Sequence, residues 1–297
     1  MSYSDASTRC LLSALTLSVS LVSPVSALDF SADTTLTRHQ NLNKAGYTED
    51  RRNDTSVQLD AGVTWQPAIQ TPGLLYFTGD LSARAYDHYT GLNQRELVLG
   101  AHYNQRMGLG PDVPWWQVTA LYNFRDVNDS QRDSHGWWLG LTLGKALTAN
   151  LDGRVWLAAD GQKGKGDRHS AMSEALQGRK VYDLSGWQFG GELTYWFTDQ
   201  LSGLVSLSYR DGDIVSSSTQ SQPMGYAWLM DPVFGMGTYR AGAKVYDSQL
   251  GLMYSVSEQT MLSVGYQHLN ARTDLPDSYP YRTYRSSNLH LGFHYVF

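Results

Sequence analysis

The chain of 297 residues has a single cysteine, Cys10, and it falls within the first 27 residues, so neither a disulfide framework nor thiol chemistry is expected in the rest. Beyond that stretch no run approaches the roughly 20 apolar residues that a spanning helix needs. A mean hydropathy of -0.38 likewise excludes a bundle of membrane helices. Charge is sparse and not basic: 23 Lys and Arg stand against 28 Asp and Glu, so no patch to pair with phosphodiesters is expected, and no nucleic-acid partner. Metal-ligand spacing is also missing. His290 and His294 lie four residues apart on one strand face, about 13 Å by strand rise, too far for one zinc held at about 2.1 Å by each ligand. No metal and no cofactor is expected.

What is present begins with an export pattern. Arg9 precedes an apolar run, Leu11 to Val22, and Val25-Ser26-Ala27 places short side chains where a signal peptidase cuts. Residues 1–27 therefore read as a cleaved signal peptide and 28–297 as one mature domain. From Leu28 onward the chain alternates apolar and polar residues with period 2 in segments of about ten, which is strand patterning. Val57, Leu59, Ala61, Val63 and Trp65 share one face, for example, and Gln58, Asp60, Gly62, Thr64 and Gln66 the other.

Twelve strands are expected, near 28–39, 54–66, 74–86, 94–106, 114–126, 135–146, 151–160, 185–197, 201–211, 241–255, 260–270 and 286–297. Their connections alternate: five short ones and six longer polar ones. That is the signature of an all-β, antiparallel up-and-down transmembrane barrel of about 12 strands, with both chain ends on the short-turn side. A soluble sandwich would carry charge on its outer faces. Here aromatics instead concentrate near the ends of the apolar face (Trp65, Tyr86, Tyr103, Trp116, Phe124, Trp137, Trp187, Tyr195, Phe197, Tyr209), as expected of interfacial girdles.

The last ten residues, Asn288 to Phe297, put Leu289, Leu291, Phe293, Tyr295 and Phe297 on one face and stop on an aromatic. This resembles the terminal signal of Gram-negative outer-membrane β-barrel proteins. The resemblance implies an outer-membrane location, with Phe293, Tyr295 and Phe297 read by the barrel assembly machinery, and lipid and lipopolysaccharide as neighbours. In length and strand number the chain is similar to twelve-strand oligosaccharide porins, nucleoside channels, phospholipase A and lipid A deacylases, but it carries no motif of any one of them. The acidic-sugar porins line their pores with basic tracks, whereas this inner face mixes both signs. The phospholipase reading needs a His-x-Ser pair on a strand, and none occurs.

If the apolar face meets lipid, parity directs the charged complement inward. Asp60, Asp80, Arg84, Glu96, His102 and Arg106 are then expected to line a pore, together with Arg125, Arg154, Glu192 and Arg210; Asp152 and Asp160 share that parity. Either water reaches these groups or opposite charges close the lumen. Two loops stand out. Gly161 to Leu184 is net basic (Lys163, Lys165, Arg168, His169, Arg179, Lys180), suited to lipopolysaccharide phosphates, with a helical turn or two expected at Ala171 to Gln177. Gly212 to Arg240 crowds apolar residues, and Tyr226, Trp228, Met230 and Phe234 are expected to fold into the barrel mouth as a constriction or to bind a ligand. The function expected first is a passive channel for small hydrophilic solutes, oligosaccharides among them. A lipid hydrolase and a surface adhesion barrel are the alternatives.

Overall fold

The structure is a computed structural model that describes residues 27–69, 71–110, 112–165, 180–219, 228–276 and 282–297, with only the backbone of Trp228. Expectations that fall on residues 1–26, including the signal peptide, lie outside the described residues. Thirteen strands follow in order: β1 Ala27–Gln40, β2 Asp54–Gln66, β3 Leu74–Tyr86, β4 Gln94–Arg106, β5 Trp115–Val127, β6 Ser134–Thr148 and β7 Leu151–Gly164. Then come β8 Leu184–Trp196, β9 Leu201–Ser218, β10 Trp228–Asp231, β11 Met236–Ser255, β12 Thr260–Thr273 and β13 Thr283–Val296. Each of β1 to β8 pairs antiparallel with the next; β9 pairs with β11, β11 with β12, β12 with β13, and β13 with β1. Twelve strands thus close into a barrel, and β10 adds only to the far end of β11.

Alternation places the side chains. Leu59, Leu81, Leu99, Leu141, Leu157, Leu207 and Leu252 are exposed on the outside, while Ser82, Thr119, Glu192 and Ser206 are buried on the inside. A greasy exterior around a polar interior inverts the soluble arrangement, and only hydrocarbon buries such a band at no cost in solvent-exposed apolar area. On β8 the outward Trp187 and Tyr195 are eight residues apart, about 26 Å along the strand, which matches the apolar band of an outer-membrane barrel. Aromatic clusters rim both edges. Trp65 stacks on Phe77 at 5.5 Å and Tyr103 meets Trp116 at 5.3 Å on the short-turn side. Trp187, Tyr209 and Tyr246 form a chain at 5.7 and 5.3 Å on the long-loop side. Tyr86 departs from the expected girdle: it has inward parity and lies 5.7 Å from His39 inside the mouth.

The strand pattern misses one region. β9 runs to Ser218 and β11 starts at Met236, so this two-strand ribbon continues nine residues past Tyr209, about 30 Å along the strand. Ile214, Val215, Ser216, Ser217 and Ser218 are all buried. Loops pack on both faces there, so the period-2 contrast that marks a half-buried strand disappears.

The lumen and its outer mouth as candidate functional site

Several inward charges meet a partner of opposite sign on another strand. Register sets Glu96 opposite Arg125 and Arg154 opposite Glu192. The resulting ion pairs are 3.1 and 2.7 Å long. Asn123 also donates to Glu96 at 2.7 Å. Arg210 reaches further, across β8 to Asp160 on β7, with Nε and Nη2 donating to the two carboxylate oxygens at 3.1 and 2.9 Å. That bidentate pair depends on Gly186, where an added Cβ would stand 2.5 Å from Arg210 Nη2. Arg84 donates to Gln58, which donates in turn to both oxygens of Asp60 at 2.7 and 2.8 Å. Asp80 lies beside Gly62 on the same wall. His102 sits between Thr78 at 3.3 Å and Thr119 at 3.1 Å, stacked on Tyr76 at 4.5 Å. Arg106 is not brought to this group: it is exposed at the short-turn end, where Nη1 meets the Gly110 carbonyl at 3.5 Å. Asp152 is exposed at that end too.

A second feature of the wall is a hydrogen-bonded belt over five adjacent strands. Ser56 Oγ lies 2.8 Å from His39 Nε2, and His39 Nδ1 3.2 Å from Asn288 Oδ1. Asn288 donates to Gln267 Oε1 at 2.9 Å, and Gln267 donates to Asp247 at 2.6 Å. Asn288 Oδ1 can only accept, so Nδ1 of His39 donates to it, and in the neutral ring Nε2 is left to accept from Ser56. Every donor then points towards the Asp247 carboxylate, an alignment in which each bond polarises the next. These residues are mostly uncharged and dispersed over the sequence; only cross-strand register brings them together. Inward-facing Trp138 and Trp156 also escape the sequence reading. Trp156 lies over Gly190, where a Cβ would be 2.4 Å from the ring.

The mouth at the long-loop end is crossed from two directions. The β10–β11 hairpin turns at 232–235, with Gly235 at φ +65. Just before the turn, fully buried Asp231 accepts from Thr238 Oγ1 at 3.0 Å and from the Val233 N–H at 2.9 Å, and pairs with Arg132 Nη2. Arg132 holds Asp129 as well, at 3.2 Å, and lies 5.2 and 5.7 Å from the ring centres of Tyr182 and Phe234. Phe234 meets Tyr89 at 5.0 Å, and Val233 packs on Gly91. β11 is the tenth strand of the ring, and Gly91 follows the third, so the hairpin spans the opening. From the other direction, loop 41–53 reaches the β9 tip. Asn43 and Ser217 bond through the backbone at 3.0 Å, Ser216 Oγ donates to the Lys44 carbonyl at 2.8 Å, and Asp50 accepts from Ser218 at 2.7 Å and from Thr219. Burial opposes ionisation of Asp50, yet the hydrogen bonds from Thr219 and Ser218 hold its carboxyl below the ordinary value. Burial, and then the Arg210 charge, pull Lys44 down to about 8. Beneath the crossing is a cavity of about 40 Å³ whose lining includes His39, Lys44, Gln94, Arg132, Phe234 and Asn288.

Of the residues expected to constrict the mouth, the side chains of Phe234 and Met230 are described. Phe234 is in the mouth. Met230 is not: it is 64% exposed, because in the short β10 strand it takes the face opposite to buried Leu229 and Asp231. Tyr226 lies outside the described residues, as do Arg168, His169, Arg179 and the expected helical turns at 171–177. Lys163 belongs to β7 and has the outward parity of Val155 and Leu157. Phe293, Tyr295 and Phe297 share the outward face of the chain end, with Tyr295 and Phe297 rings 4.8 Å apart. Asp54, Asp87 and His88 bring ligand atoms within 4.8 Å of one another, but Asp54 already accepts from the N–H groups of Thr55, His88 and Tyr89, so it caps loop 87–93.

No protein-family model and no curated protein matches the chain. Among solved structures, the NanC porin in a rhombohedral crystal form aligns over 89% of this chain and 98% of its own, at 9% identity and a TM-score of 0.50. An outer membrane channel from Pseudomonas putida F1 aligns over 91% and 95% at 10% identity and 0.49. The KdgM porin in complex with disordered oligogalacturonate aligns over 90% and 99% at 9% identity and 0.46. The first likeness shows the fold, a closed antiparallel β-barrel like that of a porin; the other two are too loose to carry an argument.

Proposed function

We propose that the chain is an outer-membrane channel for the passive passage of small hydrophilic solutes, narrowed at its outer mouth by the 228–239 hairpin and loop 41–53. The observation that carries this reading is the lumen wall. Charges on it are held in pairs between strands, Glu96–Arg125 and Glu192–Arg154 on neighbours and Asp160–Arg210 one strand further apart, so they give the wall polarity without a strong field of one sign. A ring of like charge selects ions; a wall of local pairs suits neutral, hydrogen-bonding solutes such as sugars, with the inward Trp138 and Trp156 offering apolar faces. Planar-bilayer recording of the refolded barrel tests it: ohmic steps with little ion preference support the channel, and a silent barrel that cleaves ester lipids supports a hydrolase instead. On the same reading residues 1–27 are a cleaved signal, the long loops face lipopolysaccharide, and the outward Phe293, Tyr295 and Phe297 are the strand that the barrel assembly machinery recognises. Deleting Phe297 should lower the amount of heat-modifiable barrel in the outer membrane without lowering export; wild-type amounts would remove the assembly role.

A further inference from the structure

On the outside of the barrel, beyond the long-loop girdle, three cations come together from three adjacent strands. Lys244 on β11 is directly opposite Arg272 on β12. Arg272 is opposite Thr283 on β13, which makes Arg285 its diagonal neighbour. All three have the parity of the lipid-facing residues Tyr246, Tyr266 and Leu289, and all three are exposed. Opposed residues in an antiparallel pair have Cβ atoms about 5 Å apart and diagonal ones about 7 to 8 Å, and like charges placed so destabilise the sheet. None of the three makes an ion pair among the described residues. Acids do stand near: Asp211 is opposite Lys244 on β9, where it accepts from the Tyr209 hydroxyl at 3.4 Å, and Asp274 follows two residues after Arg272 beside Gly242. Neither is within ion-pair distance of the three. Arg95 is instead a single outward cation on β4, set opposite Asp126 in register with no second cation directly across from it.

We infer that Lys244, Arg272 and Arg285 form a binding site for the phosphate groups of a lipid whose chains lie against the barrel wall below. The commitment to a lipid rests on position. Tyr246 is two residues beneath Lys244 on the same face, about 7 Å along the strand, and Leu250 and Leu252 continue the same stripe into the apolar band. A phosphate bound by the three cations therefore sits at headgroup level, with acyl chains able to follow the stripe. Two guanidinium groups and an ammonium suit a doubly charged phosphate ester, since arginine pairs with phosphate through two parallel hydrogen bonds. Each basic group at a membrane surface adds to the attraction for anionic lipid. The inference rests on the outer-membrane reading but is independent of whether the lumen conducts.

The test uses the folded barrel in detergent, with bisphosphorylated lipid A as the probe and native mass spectrometry as the readout. Wild-type barrel should retain lipid A and lose it when both phosphates are removed from the lipid. The variant K244Q/R272Q/R285Q should bind at least about tenfold more weakly, while R95Q should match wild type within about twofold. Equal retention of phosphorylated and dephosphorylated lipid by the wild type would overturn the site without reliance on any variant. Full displacement by millimolar inorganic phosphate would overturn the lipid commitment in favour of a free anion. Labelling of Asp87→Cys, exposed in a long loop away from the three cations, by an impermeant thiol reagent on intact cells separates the two readings: no labelling would refute the orientation, and labelling of a barrel that fails to retain lipid A would refute the site alone.

Discussion

Replacing Asp231 by Ala should unlatch the hairpin that crosses the mouth. In the folded protein this carboxylate is fully buried and serves Arg132, Thr238 and the Val233 N–H together. Removing one member of a buried ion pair costs about 3 to 5 kcal/mol, because the remaining charge is left buried. Arg132 keeps Asp129 at 3.2 Å, so the lower end, about 3 kcal/mol, is expected. At 1.4 kcal/mol per tenfold, the open hairpin becomes about a hundred times more populated. Chymotrypsin cleavage at Phe234 in the refolded barrel reads that population when opening is fast relative to cleavage. D231A should raise the cleavage rate by about that factor, and D231N, which keeps the shape without the charge, should fall between. Cleavage of D231A within twofold of wild type, in a barrel that stays heat-modifiable, would refute the latch.

Two further expectations concern the wall and the mouth. Leu99, 47% exposed on the outer face, becomes a charge in lipid when changed to Arg; this should cost about 2 to 4 kcal/mol in urea-driven unfolding from vesicles, and a cost near zero would place that face outside the bilayer midplane. Lys44 has a lowered value, about 8 against 10.5 when unfolded, so above pH 8 the closed loop 41–53 binds fewer protons than the open one. Closure should then strengthen as pH rises from about 8 towards 10.5 and be flat below 8, as read by hydrogen exchange corrected for intrinsic rates; K44Q should abolish the slope, and a slope that survives would assign it to another group.

Fold legibility followed from alternation. Where a strand has lipid on one side and lumen on the other, as at Val57 to Trp65, period 2 is strong, and the ends of β1 to β6 and β8 are recovered to within two residues, whereas β7, β12 and β13 run three or four residues further at their long-loop ends. It fails at 212–218 and 236–240, where loops cover both faces and chemistry no longer alternates. Parity also carries the inward placement of Glu96, Arg125, Arg154, Glu192 and Arg210, but not their pairing, which depends on register: Arg210 finds Asp160 two strands away over Gly186. The belt from Ser56 to Asp247 and the latch of Arg132 with Asp231 join residues up to 249 positions apart in polar segments with no repeat to read. Met230 shows the opposite limit. Its hydrophobicity suggests burial, yet in a four-residue strand parity outweighs composition and turns it to solvent.

Conduction through a lumen of paired charges is read by single-channel recording of the refolded barrel in a planar bilayer. Wild-type protein should give small ohmic steps with a reversal potential near zero in a salt gradient, and D231A should give larger steps as the hairpin leaves the mouth. Absence of steps from both proteins, in barrels shown to be folded and inserted, would contradict the account and leave the lumen a closed, salt-bridged core.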